Sequence, residues 1–322
     1  MFLDASKPNK LKRIAYVSKV EDTGKNEVYL RLSSSLVRNH VTDETEELKV
    51  EVQFQLNRVP SCEMHSAVDG LQDLDLVLPD VTERHSIPWT PGKQWAVEET
   101  TATASRAPLN PKQKEAILAI TAPLTLRLPP VLIIGPYGTG KTFTMGQAIK
   151  ILLRQTAANK VLVCTHSNSA ADLYIREYLH PFIERNPSVR LVRVYYKDRW
   201  VQTVHQVVQR YCLIDQKDVA ERRFRNPTLE DVLDSDIVVA TLSTSRYLSC
   251  LGLPPNHFTH ILIDEAAQAM ECEALTPLGL VAAPASGSGR YDDIENLKPS
   301  RIAVIQNSPP VIQILGKVPG RA

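Results

Sequence analysis

The chain has 322 residues, with 37 Lys and Arg against 36 Asp and Glu, so its formal net charge is only +1 and any nucleic-acid surface has to be local. A hydrophobic share of 43% and a charged share of 23% are those of an ordinary folded protein, and the length suggests two domains. Scattered cysteines (Cys62, Cys164, Cys212, Cys250, Cys272) argue against a disulfide or zinc framework; no apolar run is long enough to span a membrane and Met1 to Lys12 holds no signal-peptide core, so a cytoplasmic or nuclear location is expected.

In chain order, Ile14–Val20, Glu27–Leu32 and Leu48–Leu56 alternate apolar and polar residues, and Gly24 and polar loops separate them. This predicts a small antiparallel sheet or barrel, either a nucleic-acid-binding barrel or a plain scaffold. Asp80 to Pro108 is rich in Thr, Pro, Ser and Ala, lacks a period and reads as a connector. Asn110 and Pro111 then cap and open a short helix that ends before Pro123, and Gln113 on its first turn could offer an amide pair to a purine edge.

Val131-Leu132-Ile133-Ile134 reads as a buried parallel strand, and it runs into Gly135-x-x-x-x-Gly140-Lys141-Thr142 and a helix. Strand, glycine loop and helix together form the context that a phosphate-binding loop requires. Gly135, Gly138 and Gly140 let the backbone wrap a polyphosphate and turn its N–H groups inward, with Pro136, Tyr137 and Thr139 filling the loop. Lys141 supplies a point charge for β/γ oxygens, and the Thr142 hydroxyl a Mg2+ ligand. The plainer reading is a glycine-rich turn without a ligand.

Lys160–Cys164 is a second strand, and it ends in the polar turn Thr165-His166-Ser167-Asn168. Ligands of parallel α/β sheets gather at the carboxyl ends of the strands, so this turn lies beside the glycine loop. Ser167 and Asn168 read either as helix caps or as donors to a nucleic-acid backbone. Leu191–Val194 is a third strand. Arg190 to Arg225 mixes cations with Trp200 and Tyr211, which suits either a stacking surface or, more plainly, solvated faces. Asp236–Thr241 is a further buried strand. His260-Ile261-Leu262-Ile263 then feeds Asp264-Glu265, an arrangement in which Asp264 shares the Mg2+ touched by Thr142 and Glu265 orients and deprotonates water.

Leu109-Asn110-x-x-Gln113, the glycine loop, Ser167-Asn168-x-Ala170-Ala171-Asp172 and Asp264-Glu265-Ala266-Ala267-Gln268, in this order, resemble the first RecA-like domain of Upf1-like superfamily 1B helicases. Within that group the sequence is most similar to the helicase with zinc finger proteins, from about Leu11 to about Leu280. The resemblance implies that Gln113 contacts adenine, that residues 135–142 hold ATP and Mg2+, and that Gln268 couples the γ-phosphate to a second lobe. It further implies that Thr165, Ser167, Asn168, Thr241 and Ser243 touch single-stranded RNA, with DNA as the alternative; the lack of a long apolar run separately argues that no membrane is involved. The segment before Leu109 would be the β-barrel insertion of the group.

A helicase of this group continues into a strand ending in Gly-Asp-x-x-Gln and then into a second lobe carrying arginines. Here a Gly-, Ser- and Ala-rich stretch follows Val281; Arg301–Ile305 could be a strand, but Gln306-Asn307 stands in place of Gly-Asp, and Pro309-Pro310 breaks it. The expected organisation is a β-barrel over 1–90, a linker over 91–108, a RecA-like α/β P-loop domain with a parallel sheet over 109–280, and a disordered tail over 281–322. The expected function is the ATP-binding first lobe of an RNA helicase truncated after that lobe and defective in unwinding by itself. A partner protein or chain would then supply the second lobe; the alternative is a non-enzymatic ATP- and RNA-binding module or an inactive fragment.

Overall fold

In the computed structural model, residues 2–4, 17–22, 28–32, 38, 50–52, 58–71, 74, 77–78, 109–125, 128, 130–197, 199–215, 222–281 and 300–307 are described. Contacts divide the chain into Met1–Pro60 and Ser61–Ala322. The first unit shows two antiparallel ladders. Strand β1 (Phe2–Asp4) pairs with β4 (Val50–Val52), and β2 (Val17–Asp22) pairs with β3 (Val28–Leu32) through a bulge at Val17/Lys19. Strands β2, β3 and β4 overlap the segments that the alternation predicts, whereas β1 lies before them. Closure into a barrel, the remainder of the Leu48–Leu56 segment and the 91–108 linker lie outside the described residues.

The second unit is built on a six-stranded sheet in the order β5-β12-β11-β6-β10-β7. Its members are β5 (Val131–Gly135), β6 (Val161–Thr165), β7 (Leu191–Arg193), β10 (Ile237–Thr241), β11 (His260–Asp264) and β12 (Arg301–Asn307), and every pairing is parallel. A minor hairpin, β8 (Ile214–Asp215) with β9 (Arg223–Phe224), lies between β7 and β10 in sequence. Because side chains alternate along a strand, β6 sends Val161 and Val163 to one apolar cluster and Leu162 and Cys164 to the other. The same split divides β10, β11 and β12, so helices cover both faces of a nearly continuous hydrophobic sheet. No helix among the described residues is long and apolar enough to cross a membrane.

Two expectations change. The strand Val131–Ile134 is only half-buried: Val131 and Ile133 pack against the core on one face, while Leu132 and Ile134 on the other are each 60% exposed. The second change concerns the tail. Residues 301–307, expected to be disordered, form the strand between β5 and β11, and β12 is the only described partner of the P-loop strand. Arg301 holds that strand in place. Its guanidinium is buried and donates to the carbonyls of Pro123 at 3.0 Å and of Ala119 and Ala122 at 3.5 Å, satisfying the end of the helix α2 (Pro111–Thr121).

The helix α1 (Val59–Asp69) lies in a region read as part of the β domain, and it belongs to the second unit from Ser61 onward. Its Glu63 accepts from Arg246 at 2.6 Å, which ties it to the helix α5 (Leu242–Ser249) that follows β10.

Candidate functional site

The carboxyl ends of β5, β11, β6 and β10 set the functional side chains side by side. Beyond β5 the chain turns through Gly138 and Gly140, both at φ +77°, and enters the helix α3 (Lys141–Gln155). A left-handed backbone favours glycine at both positions. At Gly140 space matters as well: an added Cβ would lie 2.9 Å from Gln113 Nε2. Thr139 closes the loop by donating its hydroxyl to Pro136 O at 2.9 Å, while Tyr137 is 71% exposed at its tip.

Asn110 caps α2, and Gln113 is the third residue of that helix. Each side chain accepts from the other's backbone N–H at 2.9 Å, a reciprocal capping box. The remaining amide group of Gln113 donates to Thr139 O at 3.2 Å. Gln113 is therefore fixed against the glycine loop.

Lys141 donates to Gly135 O at 2.7 Å and Pro136 O at 2.6 Å. Desolvation lowers its pKa, and the charge of Asp264 opposes that shift. The Thr142 hydroxyl donates to Asp264 Oδ2 at 3.0 Å across 122 residues of sequence. Asp264 also accepts from its neighbour's backbone N–H, Glu265 N, at 2.8 Å, and from the Tyr174 hydroxyl at 2.6 Å. Burial first, and then the Asp264 charge, push the Tyr174 phenol well above its ordinary pKa, so it remains a donor.

A hydroxyl and a carboxylate in contact beside the loop, both hard oxygen donors, fit a Mg2+ that keeps most of its water and takes its other ligands from phosphate. Among the described residues no group of three or more His, Cys, Asp or Glu side chains forms a metal cage.

Glu265 has φ +61°, left-handed for a residue with a side chain, and sits at the turn after β11. Its Oε2 accepts from Ser167 Oγ at 3.0 Å and from Ser167 N at 3.3 Å. Gln268 is exposed three residues further, held there by its backbone N–H to Glu265 O at 2.9 Å.

The expected nucleic-acid residues fall into two groups. Ser167, Asn168 and Ser243 reach the carboxyl-end surface, whereas Thr165 and Thr241 are buried. Thr165 donates to Ser167 O at 2.6 Å, and Thr241 caps α5 through Thr244 N at 3.2 Å. These two threonines shape the turns that carry the half-buried Ser167 and Asn168 and the exposed Ser243.

Sequence reasoning missed Tyr174 and the clamp behind Asn168. Arg193 is fully buried on β7 and donates to Asp172 Oδ1 at 3.1 Å, Asn168 Oδ1 at 2.8 Å and Val194 O at 2.7 Å. Tyr195 donates to the same Asp172 carboxylate at 2.6 Å, and the guanidinium of Arg193 lies 4.0 Å from its ring centroid. Arg193 thus leaves the surface cluster of Arg190 to Arg225, and Arg225, paired with Asp231, and Arg190, paired with Asp234 at 3.2 Å, are engaged too. Tyr196 and Trp200 are exposed at 53% and 62%.

A family model for the AAA domain matches residues 108–224 and 215–283. The "Probable helicase with zinc finger domain" of Danio rerio is 51% identical over 276 residues, which are 85% of this chain and 14% of that protein. "3'-5' exoribonuclease HELZ2" of Homo sapiens is 40% identical over 235 residues, 72% of this chain and 8% of that protein. "RNA helicase Mov10l1" of Homo sapiens is 36% identical over 174 residues, 54% of this chain and 13% of that protein. The chain therefore spans between 8% and 14% of the length of these relatives.

Proposed function

This chain belongs to the Upf1-like superfamily 1B helicases, and on that premise we propose that its second unit binds ATP with Mg2+ beside a single-stranded RNA held through its backbone. The observation that carries the reading is the contact of Thr142 with Asp264 at 3.0 Å, which brings the phosphate loop and the acidic strand end together. In this reading Gln113 faces the adenine, the loop N–H groups and Lys141 hold the phosphates, and Thr142 with Asp264 holds the metal ion. Bound Mg2+ would neutralise charge on the β- and γ-oxygens. Glu265 takes the proton of the attacking water as its oxygen bonds to the γ-phosphorus and ADP leaves with the bonding electrons. Gln268 passes the state of the γ-phosphate to a second lobe.

Ser167, Asn168 and Ser243 receive the strand, with Thr165 and Thr241 shaping their turns. RNA is favoured over DNA by the printed names of two relatives. These 322 residues supply one RecA-like lobe, and arginines brought to the γ-phosphate by a second are worth roughly 10³–10⁵ in rate. Assayed alone, these 322 residues are therefore slow in hydrolysis and do not unwind, because closure needs arginines that lie outside them.

The test is calorimetric titration of ATP with Mg2+ into the 322-residue chain and its Lys141→Ala variant, followed by anisotropy of ribose and deoxyribose oligonucleotides of one sequence. The expected result is ATP binding that Lys141→Ala abolishes, ribose preference, and negligible unwinding. Equal ATP binding by both chains overturns the site. Turnover at the rate of an intact two-lobed helicase overturns the incompetence.

A further inference from the structure

The two acids at the end of β11 have different partners. Asp264 meets Thr142 on the glycine-loop side, whereas Glu265 reaches the turn after β6 on the other side of its strand. At that turn every polar group of Ser167 is engaged. Its N–H and hydroxyl both donate to Glu265 Oε2 at 3.3 Å and 3.0 Å, its hydroxyl accepts from Ala170 N at 3.1 Å, and its carbonyl accepts from Thr165.

The paired N–H and O–H are the donors that the reading above assigns to a nucleic-acid phosphate. Here one carboxylate, the Glu265 side chain, takes both. Two anions cannot share such a donor pair without repulsion, so carboxylate and phosphate compete for it. We propose that Ser167 is a latch on Glu265: it draws the hydrolytic carboxylate away from the nucleotide side until a phosphodiester takes its donors and releases the carboxylate.

This rests on the reading that the turn binds single-stranded nucleic acid, and it adds the regulation of that site. Ser167 is a positioning residue in this scheme. The release involves no covalent step; one anion replaces another on the same N–H and O–H. The rest of the turn stays anchored, since Arg193 holds Asn168 and Asp172 while Tyr174, further along the same helical segment, holds Asp264.

The experiment is a double-mutant cycle on the 322-residue chain with Ser167→Gly and Glu265→Ala, read by anisotropy of a short fluorescein-labelled oligouridylate. Glycine serves at a helix N-cap nearly as well as serine, so the variant removes the hydroxyl with little cost to the helix, and a thermal melt checks folding. Glu265→Ala is expected to tighten RNA binding by about tenfold when Ser167 is present, and by less than about twofold in the Ser167→Gly background. The same factor in both backgrounds means that only the lost charge matters, and it overturns the latch.

Single-turnover hydrolysis of ATP supplies the sign: Ser167→Gly is expected to be at least about threefold faster than wild type without RNA. A slower or unchanged rate overturns the latch, because Ser167 would then hold Glu265 in its working position or do nothing to it. Failure of wild type and Glu265→Ala alike to bind the oligonucleotide, with ATP binding intact, overturns the nucleic-acid reading itself and the latch with it.

Discussion

Tyr174 donates its hydroxyl to Oδ2 of Asp264 at 2.6 Å, the same oxygen that receives the Thr142 hydroxyl at 3.0 Å. Tyr174 lies at the start of a π-helical stretch, Tyr174–Leu179, which continues the helix α4 (Asn168–Leu173). Widened helical turns of this kind are frequent at functional sites. The stretch packs on α3, where a Cβ on Gly146 would come within 2.8 Å of the Tyr178 ring. Tyr174→Phe keeps the ring and deletes the donor. Partners that orient a metal-bound carboxylate are typically worth 10–100-fold in metal affinity, so the Mg2+-dependent part of ATP binding should weaken by about tenfold. Binding without Mg2+ should stay unchanged, which titration in the presence and absence of a chelator measures. Equal losses in both conditions would mean that Tyr174 only packs.

The strand β12 carries the second prediction. A chain ending at Val281 removes the only described ladder partner of β5 and the Arg301 cap on α2. Leu132 and Ile134 are already exposed on one face of β5, so little else among the described residues holds the strand that leads into the glycine loop. The shortened chain should lose its sharp thermal transition or melt at least about 10 °C lower, and bind ATP at least about tenfold more weakly. Unchanged melting and binding would refute the role given to β12.

Much of the site was legible because it is local in sequence. A glycine loop between a strand and a helix, or an acidic pair at a strand end, draws its geometry from a few adjacent residues, and Asn110 before Pro111 declares the start of its helix outright. What stayed hidden is set by sheet order. Nothing in Arg301–Asn307 says that it belongs between β5 and β11, because its neighbours in sequence suggest a linker and a broken end. Arg193 misled for a related reason: within a run of cations it resembles a surface residue, and only the pairing of β7 with β10 brings it under Asn168 and Asp172. Ser167 could be read equally as a cap or a nucleic-acid donor, and the structure gives it a third contact, with Glu265.

The buried clamp on the β6 turn gives the third prediction. Arg193→Met leaves the Asp172 carboxylate without its cation and should destabilise the chain by about 3 kcal/mol. Arg193→Lys keeps the charge but cannot reach Asp172, Asn168 and Val194 with one planar group, so it should still cost about 2 kcal/mol. Urea unfolding of the two variants measures both values. Wild-type stability for the lysine variant would show that charge alone, and not the shape of the guanidinium, holds the turn.

The last prediction concerns acid. His260 is buried at the start of β11, and desolvation, followed by the charge of Arg301, lowers its pKa to about 3 from an ordinary value near 6.5. Below pH 6.5 the unfolded chain takes up a proton that the folded chain refuses, so stability falls as pH drops through the interval from 6.5 towards 3. His257 shifts in the same direction, through burial and then the charge of Lys160. Asp231 is held below the usual carboxylate range chiefly by its hydrogen bonds with Arg225, so its contribution is lost only below its ordinary value of 3.8. The window between about pH 7 and about pH 5 therefore isolates the histidines from that carboxylate, and over it His260 should cost about 2 kcal/mol. Urea unfolding at both ends of the window should show that loss in wild type, and His260→Asn should remove most of it. An equal pH slope in the variant would place the titration elsewhere.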